Sequence, residues 1–378
     1  MKILFLSTQD KLPWCGSEIL WHDTARAMLA RGHEVLVSYL DWDVTPEALR
    51  KLEADGARLL LRRPVLPPTI PGKLLARIPG DPFGRTLAHH LKELVRLGPD
   101  LVVVTVGSSS VWEEFHEVFG GTGIPYVLVV QAANDRCWFE DGFREKLAQT
   151  YREAREVFYV SEGNRALVNA QLALPEDRGQ VVFNPFSVPY EPGLAWPDGT
   201  EENPRFAFVG RLEPESKGCD LILEVLARPH WRARAPIVNF FGAGPCERGV
   251  RELAELRGLA NVSFPGFSRN VVDIWRTHHA LLLPSRYEGM PLAMIEAMLC
   301  GRVCVVTNVA GNAELMEDNV SGFVAASATI EHLDEAMERA WSARARWQEI
   351  GRLAGEAARA RVPRAPGETL ADRLEALV

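Results

Sequence analysis

Short apolar runs recur along the chain and alternate with stretches of helical periodicity. Residues 2–7 and 34–40 are typical of buried strands, and residues 17–30 between them carry apolar side chains at helical spacing. This strand, helix, strand order predicts the start of a parallel sheet. The alternation continues with predicted strands at 101–106, 126–130 and 157–160. We therefore expect a Rossmann-like α/β domain over residues 1–188.

A second alternation follows a segment that is typical of a linker. Residues 189–204 are rich in proline, glycine and acidic side chains. Further strands are then predicted near 206–209, 237–241, 261–264, 280–283 and 302–306. We expect a second Rossmann-like domain over residues 205–362 and a final helical segment over 363–378. Loops at the carboxyl edge of such a sheet are where open parallel sheets bind ligands.

Two carboxylates lie eight residues apart around the start of one predicted helix. Pro291 suits a first helical position and Gly301 a C-terminal cap, so a helix is predicted over about 291–300 with free backbone amides at its front. Those amides favour an anion, and Glu288 and Glu296 are expected to accept hydrogen bonds from hydroxyl groups on either side of it. At helical rise the two lie about 12 Å apart. That span fits a sugar and a ribose joined through a diphosphate, which indicates a nucleotide sugar.

Two cations follow another predicted strand of the second domain. Arg211 and Lys217 lie in the loop after residues 206–209 and before the next predicted helix. A surface pair beside that helix would explain either residue alone. Together with the paired glutamates, they favour the binding of a diphosphate leaving group.

These elements resemble the signature of a known enzyme family. Gly210-Arg211, Lys217-Gly218 and Glu288-x7-Glu296, with the glycine loop near residue 16, are similar to the motifs of glycosyltransferase family 4, retaining enzymes of the GT-B fold. The resemblance covers nearly the whole chain. It implies two Rossmann-like domains that face a central cleft, and a final helix that crosses back to the first domain.

The resemblance also implies roles for individual residues. Those with a catalytic role are Arg211, Lys217 and Glu288. Those that bind the donor are Glu296, Gly210, Gly289, Met290, Pro291, Leu292, Gly266, Phe267 and Gly244. Those that meet the acceptor or the transferred sugar are Gly16, Ser17, Gln131, Asn134 and Asp135.

The chain departs from the family at one of these positions. Family members usually carry a histidine near the donor sugar's C6 hydroxyl, where this chain has Gln131. A glutamine amide still donates and accepts hydrogen bonds but cannot carry a proton's charge. The departure bears on sugar choice more than on the class of reaction.

The resemblance implies transfer of a hexose or pentose from a nucleoside diphosphate sugar to an acceptor hydroxyl, with retention at the anomeric carbon. The acceptor is a sugar, a lipid-linked compound or a small molecule, and no cofactor besides the donor is expected. Two alternatives stay open: a related nucleotide-sugar enzyme such as an epimerase or phosphorylase, and a noncatalytic protein that binds nucleotide sugar. The loop at Gly16 lacks the G-x-G-x-x-G fingerprint of a dinucleotide dehydrogenase.

Composition and charge narrow the range of molecules that this chain is expected to bind. The 378 residues are 47% hydrophobic and 24% charged, with a net charge of −8, which argues against nucleic acid. Residues 56–80 are an exception, because they hold five basic residues and no acidic one. They predict either a peripheral contact with anionic lipid or a solvated loop. No apolar run is long enough to cross a bilayer or to act as a signal peptide, so we expect a cytoplasmic protein.

A bound metal is not expected. The six cysteines lack the spacing of a metal site, and the adjacent histidine pairs diverge on a helix. Asp41-Trp42-Asp43 has the D-x-D pattern that holds a metal in the other major glycosyltransferase fold. In this architecture we expect a polar loop there.

Overall fold

The computed structural model describes residues 1–62, 87–107, 110–199 and 203–378. The chain divides into two compact units. The first comprises Met1–Val160, Asn164–Pro185 and Ala365–Val378. The second comprises Ser161–Gly163 and Phe186–Arg364.

The first unit contains a seven-stranded sheet with the order β3-β2-β1-β4-β5-β6-β7, in which neighbouring strands run parallel. Its strands are β1 Lys2–Ser7, β2 Glu34–Leu40, β3 Arg58–Arg62, β4 Leu101–Val106, β5 Tyr126–Val130, β6 Glu156–Tyr159 and β7 Gln180–Val181. The described helices that accompany them are α1 Gly16–Ala30, α2 Glu47–Ala54, α3 Leu87–Arg96, α4 Glu113–Phe119, α5 Asp141–Glu153 and α6 Glu162–Leu172.

Both faces of this sheet are buried. Along β1, Leu4 and Leu6 pack on one face with α3, α4 and α5, whereas Ile3 and Phe5 pack on the other with α1. Successive side chains of a strand point to opposite faces, so a strand covered on both sides is apolar throughout. This explains why central strands such as β1 and β4 are recognisable as continuous apolar runs.

The second unit contains a six-stranded parallel sheet with the order β10-β9-β8-β11-β12-β13. Its strands are β8 Arg205–Val209, β9 Ile237–Phe241, β10 Val262–Gly266, β11 Ala280–Leu283, β12 Val303–Thr307 and β13 Phe323–Ala325. Its helices are α7 Pro214–Lys217, α8 Cys219–Leu226, α9 Pro229–Arg234, α10 Glu247–Leu256, α11 Val271–Thr277, α12 Leu292–Leu299, α13 Ile330–Ser342 and α14 Trp347–Arg361.

The last helix, α15 Pro366–Glu375, belongs to the first unit. There Arg31, next to the end of α1, forms ion pairs of 2.6–2.7 Å with Glu368, Asp372 and Glu375. The chain passes between the units at 160/161, 163/164, 185/186 and 364/365. The sequence pattern predicts a linker at 189–204 and a last segment at 363–378. The predicted fold class of two Rossmann-like parallel-sheet domains is confirmed.

Part of the basic segment at 56–80 turns out to be a strand. Arg58 and Arg62 begin and end β3, and Arg62 is only 5% exposed, with its guanidinium 4.7 Å from the ring centre of Trp112. Arg62 is therefore not available to a lipid surface. Residues 63–80, with Arg63, Lys73 and Arg77, lie outside the described residues. Within the described part of the chain, no helix is long and apolar enough to cross a membrane.

Candidate functional site

The glycines after β8 and β9 let the two loops touch each other. A Cβ on Gly242, whose φ is +137°, would lie 1.9 Å from the carbonyl oxygen of Gly210, and one on Gly244 would lie 2.5 Å from that of Leu212. No side chain fits at these distances. Because β8 and β9 are parallel neighbours, both loops open on the carboxyl edge of the sheet. This places Gly210 and Gly244 at the edge where the sequence predicts donor binding.

Lys217 is placed at this edge by a short helix that is followed by a glycine with a positive φ. It is the last residue of α7, and the next residue, Gly218, has a φ of +61°. A Cβ on Gly218 would lie 2.0 Å from the carbonyl oxygen of Pro284, the residue after β11. Only glycine accepts both this conformation and this approach. The result is that the α7 end lies directly against the loop that carries Glu288.

Lys217 and Glu288 form an ion pair. Nζ of Lys217 lies 2.5 Å from Oε1 of Glu288, and the hydroxyl of Ser285 donates to the same oxygen at 2.8 Å. Glu288 is only 7% exposed. A buried carboxylate held by a cation and a hydroxyl has a defined position. The structure thus brings together two of the three residues with a predicted catalytic role.

Arg211 lies in the same loop but is more exposed. Its guanidinium pairs with Glu213 at 2.8 Å, and 44% of its side chain is exposed. Glu213 also accepts a hydrogen bond from the hydroxyl of Ser216. Arg211 is therefore oriented by a carboxylate while its guanidinium stays open to solvent at the sheet edge.

A second arginine braces the Glu288 loop. Arg286 donates to both carboxylate oxygens of Asp220, at 2.7 and 2.8 Å, and its backbone N–H donates to the carbonyl of Ser216 at 2.8 Å. The hydrogen bonds to Asp220 raise the pKa of Arg286. This bidentate pair ties the loop after β11 to α8. Sequence reasoning missed Arg286, Ser285 and Glu213, since none of them carries a motif of its own.

Glu296 lies inside α12 and is 5% exposed. Its Oε1 accepts hydrogen bonds from the backbone N–H of Ser187 at 2.8 Å and from the Ser187 hydroxyl at 2.6 Å. Burial raises the pKa of Glu296, and these two hydrogen bonds oppose the rise. Ser187, which the sequence pattern did not single out, thus occupies one carboxylate oxygen. No described residue donates to the other oxygen, Oε2.

The backbone N–H groups at the start of α12 are left without a side-chain cap among the described residues, as the sequence predicted. The helix runs from Leu292 to Leu299 with Pro291 as its N-cap residue, one residue shorter at each end than predicted. No side chain of the described residues caps it. The carbonyl of Gly289 accepts from the backbone N–H of Gly311 at 3.0 Å, and Met290 is buried against Gly311. The loop before α12 is therefore braced by the loop after β12.

Gly266 and Phe267 lie at the outer strand of the same edge. Gly266 ends β10 with a φ of +86°, and its carbonyl accepts from the backbone N–H of Gly242 at 2.9 Å. Phe267 follows with 75% of its surface exposed. A largely exposed aromatic ring beside these loops is available for contact with a flat ligand group.

In the first unit, the predicted acceptor residues lie after β1 and β5. Gly16 begins α1, and the hydroxyl of Ser17 donates to Glu18 at 3.2 Å. Glu18 is 1% exposed and also accepts from Ser7 at 2.8 Å and Trp21 at 3.0 Å. Burial raises the pKa of Glu18, against these hydrogen bonds. Sequence reasoning missed Glu18, whose buried carboxylate organises this loop.

Gln131 is buried immediately after β5. Its backbone N–H donates to Val106 at 2.9 Å, and its Oε1 accepts from the amide of Asn184 at 2.8 Å. Its Nε2 is buried and has no partner among the described residues. Leaving a buried N–H donor without an acceptor costs folding free energy. The Nε2 group of Gln131 can therefore donate a hydrogen bond to a ligand.

Asn134 and Asp135 lie in the loop that follows. Oδ1 of Asn134 accepts from the backbone N–H of Arg136 at 2.9 Å, and its carbonyl accepts from the Gln171 amide at 2.8 Å. These bonds shape the loop. Asp135 is exposed at its tip.

One group of described side chains has the composition of a metal site. Single ligand atoms of His230, Asp334 and Glu338 lie within 4.8 Å of one another. Arg228 and Arg234 already pair with the two carboxylates, at 2.5 and 2.6 Å. Two guanidiniums at that distance disfavour a divalent cation. Asp41 and Asp43 are exposed and do not belong to this group.

Two family profiles match this chain. One, described as Glycosyltransferase Family 4, matches residues 14–188, and the other, described as Glycosyl transferases group 1, matches residues 203–343. Together they include every site residue that the sequence predicted. The chain belongs to glycosyltransferase family 4, so the predicted family is confirmed.

Individual relatives match over part of their length. Alpha-D-kanosaminyltransferase of Streptomyces kanamyceticus is 29% identical over 144 residues, which are 37% of this chain and 37% of that protein. The uncharacterized glycosyltransferase MJ1607 of Methanocaldococcus jannaschii is 25% identical over 218 residues, 53% of this chain and 55% of that protein. The chain thus matches about a third to a half of the length of these relatives.

A solved structure shows the same fold over the entire chain. Alr3699/HepE of Anabaena, in complex with UDP, superimposes with a TM-score of 0.75 at 18% identity and covers 100% of both chains. The two-domain GT-B fold is therefore that of this chain.

Proposed function

We propose that this protein is a retaining glycosyltransferase that moves a sugar from a nucleoside diphosphate sugar to an acceptor hydroxyl. The observation that carries the proposal is the arrangement of Lys217, Glu288 and Arg211 at the carboxyl edge of the second sheet. Membership of family 4 supports the assignment of these charges to the binding of a nucleotide-sugar donor. Two cations at this edge suit a diphosphate that gains negative charge as it leaves.

Lys217 has donors to spare for that diphosphate. Its ammonium carries three N–H bonds, and Glu288 is its only hydrogen-bond partner among the described residues. Glu288 holds the ammonium in place before the donor arrives, so little reorganisation is needed. Arg211, oriented by Glu213, supplies the second charge.

The proposed reaction is the front-face mechanism of similar enzymes. The bond between the anomeric carbon and the diphosphate oxygen breaks, while the acceptor oxygen bonds to that carbon on the same face. The acceptor's proton passes to the leaving diphosphate. Lys217 and Arg211 stabilise the charge that develops on the diphosphate, which makes their interaction strongest in the transition state.

Glu296 is proposed to bind the ribose of the donor. Ser187 occupies Oε1, and Oε2 is left to accept from a hydroxyl. Glu288 and the backbone amides at the start of α12 would contact the sugar and the diphosphate. On this assignment no metal ion is required, because side-chain cations face the diphosphate.

A uridine nucleotide is the first donor to test. Alr3699/HepE, which shares the fold, is described in complexes with UDP and with UDP-glucose. The acceptor is proposed to be a sugar, a lipid-linked compound or a small molecule. Gln131, whose Nε2 has no partner in the part of the chain that the structure describes, is proposed to select among donor sugars.

Titration with UDP, GDP and ADP, followed by donor turnover, tests the proposal. A transferase releases free nucleoside diphosphate and yields a product with the donor's anomeric configuration, which nuclear magnetic resonance reads directly. Interconversion of donor sugars without release would instead identify an epimerase, and consumption of inorganic phosphate a phosphorylase. Binding without turnover across acceptors would identify a noncatalytic binder.

A further inference from the structure

A second ligand-sized space lies at the opposite edge of the second sheet. It measures about 800 Å³ and is formed by residues 191–196, the turn between α12 and β12, and α14. Gly301 and Arg302 line it immediately before β12, whereas the donor loops follow the carboxyl ends of β8 and β11. The five residues of β12 span about 16 Å. The cavity is therefore separate from the donor loops, and its volume suits a small molecule.

Arginines dominate the lining of this cavity. Four arginines and two glutamates line it, an excess of two positive charges. Both glutamates already have partners: Glu349 pairs with Arg346 at 3.2 Å, and Glu191 pairs with Arg364 at 3.4 Å. Arg352 pairs with Glu356 at 2.5 Å.

Among the described residues, Arg302 and Arg359 have no carboxylate partner. Arg302 is 1% exposed, and its guanidinium donates to the carbonyls of Trp275 at 2.7 Å and Ala195 at 2.8 Å. It lies 5.3 Å from the ring centre of Trp196, which also lines the cavity. No described carboxylate pairs with it. A buried cation whose partners are neutral carbonyls and a ring keeps most of its charge uncompensated.

Arg359 is positioned by a glycine one turn earlier in α14. A Cβ on Gly355 would lie 3.1 and 3.2 Å from the two terminal nitrogens of Arg359, so the absence of a side chain lets the guanidinium lie over the helix. Both residues line the cavity. Across the part of the chain that is described, no carboxylate lies within ion-pair distance of Arg359.

We propose that this cavity binds a small phosphorylated compound, with Arg359 as the phosphate ligand, Arg302 as a buried positive charge behind the wall and Trp196 as part of the wall. A phosphate monoester carries a charge of about −1.5 to −2 near neutral pH. That charge matches the excess of two positive charges, and one guanidinium can bind a phosphate group through two parallel hydrogen bonds. The assignment does not depend on the sugar-transfer reaction.

Calorimetric titration of the full-length protein with glucose 6-phosphate, and with glucose as the uncharged control, tests this site. Arg359→Gln should weaken glucose 6-phosphate binding by roughly ten- to a hundredfold, the scale of one charge-assisted contact. Arg248→Gln, which removes an equally positive side chain on α10 that is 93% exposed, should leave the affinity unchanged. Arg211→Ala, at the donor edge, should also leave it unchanged. Arg302→Met removes a buried positive charge near the site and should also weaken glucose 6-phosphate binding, in protein that circular dichroism shows to be folded.

Several results would overturn the assignment. They are unchanged glucose 6-phosphate affinity in Arg359→Gln, loss of that affinity only in Arg211→Ala, and no binding at about 10 mM, a concentration far above the range of specific sites. Arg359-dependent binding to phosphatidylcholine vesicles with phosphatidic acid, without glucose 6-phosphate binding, would replace the soluble ligand with a lipid headgroup. Titration with UDP tests the donor loops separately. If UDP does not bind, the proposal for this cavity is unaffected.

Discussion

The ammonium of Lys217 lies 2.5 Å from Oε1 of Glu288, although 71 residues separate the two in the chain. Three features produce this contact. β8 and β11 are neighbours in the sheet, Gly218 presses the end of α7 onto Pro284, and Ser285 holds the carboxylate. Each residue therefore determines the electrostatic environment of the other, and neither can be changed alone without effect.

Lys217→Ala and Arg211→Ala should each lower turnover roughly 100- to 1000-fold, the scale for loss of one preorganised charge stabiliser. Their effects on stability should differ. Lys217→Ala leaves Glu288 buried and unpaired and should cost about 1–3 kcal/mol of unfolding free energy. Arg211 is largely exposed, so its replacement should cost under about 0.5 kcal/mol. Urea unfolding and donor turnover measure the two quantities separately.

The double variant Lys217→Ala/Glu288→Gln separates stability from catalysis. Replacing the unpaired carboxylate with a neutral amide should restore most of the lost stability without restoring turnover. Near-wild-type turnover in either single variant, with folded protein, would refute the role of that cation at the leaving group.

Much of this site could be predicted from sequence because its motifs are local. Glu288 and Glu296 share one short segment, and Arg211 and Lys217 share another, so loop position followed from adjacent apolar strands. The Lys217–Glu288 pair could not be predicted, since it depends on the order of β8 and β11 in the sheet. The contact of Ser187 with Glu296 spans 109 residues and has no periodic signal.

The same limit applies to the fold. Buried strands such as β1 and β4 are continuous apolar runs, which sequence analysis detects readily. β3 was missed because it begins and ends with arginines, and its one buried residue is Arg62, which packs against Trp112. β7 and β13 have only two and three residues, too few for a period to emerge.

Gly218→Ala should destabilise the protein by about 2–4 kcal/mol and lower turnover, because the new Cβ would meet the Pro284 carbonyl and the residue would keep a positive φ. Gly258→Ala is the matched control. Gly258 has nearly the same φ, +64°, but its Cβ would meet only Arg232 Nη1, at 3.9 Å. That variant should cost about 1 kcal/mol and retain turnover. Equal losses in both variants would show that the contact with Pro284 is unimportant.

Glu296→Gln should change stability in a manner that depends on pH. Burial raises the pKa of Glu296 in the folded protein above its ordinary value of 4.5. Protonation of Glu296 therefore stabilises the folded protein at low pH. This contribution is lost as pH rises through the folded pKa. A neutral glutamine can keep both Ser187 hydrogen bonds and avoids burying a charge. Its stability relative to wild type should therefore increase from pH 4 to pH 8.

Urea unfolding of Glu296→Gln at several pH values tests this, with the exposed Glu255→Gln as control. A stability difference from wild type that stays constant with pH would contradict the assigned direction of the Glu296 shift. Glu296→Ala should additionally weaken nucleoside diphosphate binding, whereas Glu288→Ala should mainly slow transfer. Wild-type UDP affinity in Glu296→Ala, given a wild-type protein that binds UDP, would argue against the ribose contact.

Gln131→Ala should alter the preference among donor sugars that share one nucleotide. The amide Nε2 of Gln131 is buried without a partner among the described residues, whereas Oε1 is held by Asn184, so the group has an oriented donor available for a sugar hydroxyl. A site that hydrogen-bonds a hydroxyl discriminates strongly against sugars that present it differently, because its own donor is then left unpaired. Competition assays with matched donors should show the preference relaxed by roughly tenfold or more, with nucleoside diphosphate affinity nearly unchanged. Asn184→Ala, which frees Gln131 to rotate, should relax the preference in the same direction but by less. An identical sugar preference in wild type and Gln131→Ala would mean that Gln131 serves only to join the end of β5 to Asn184.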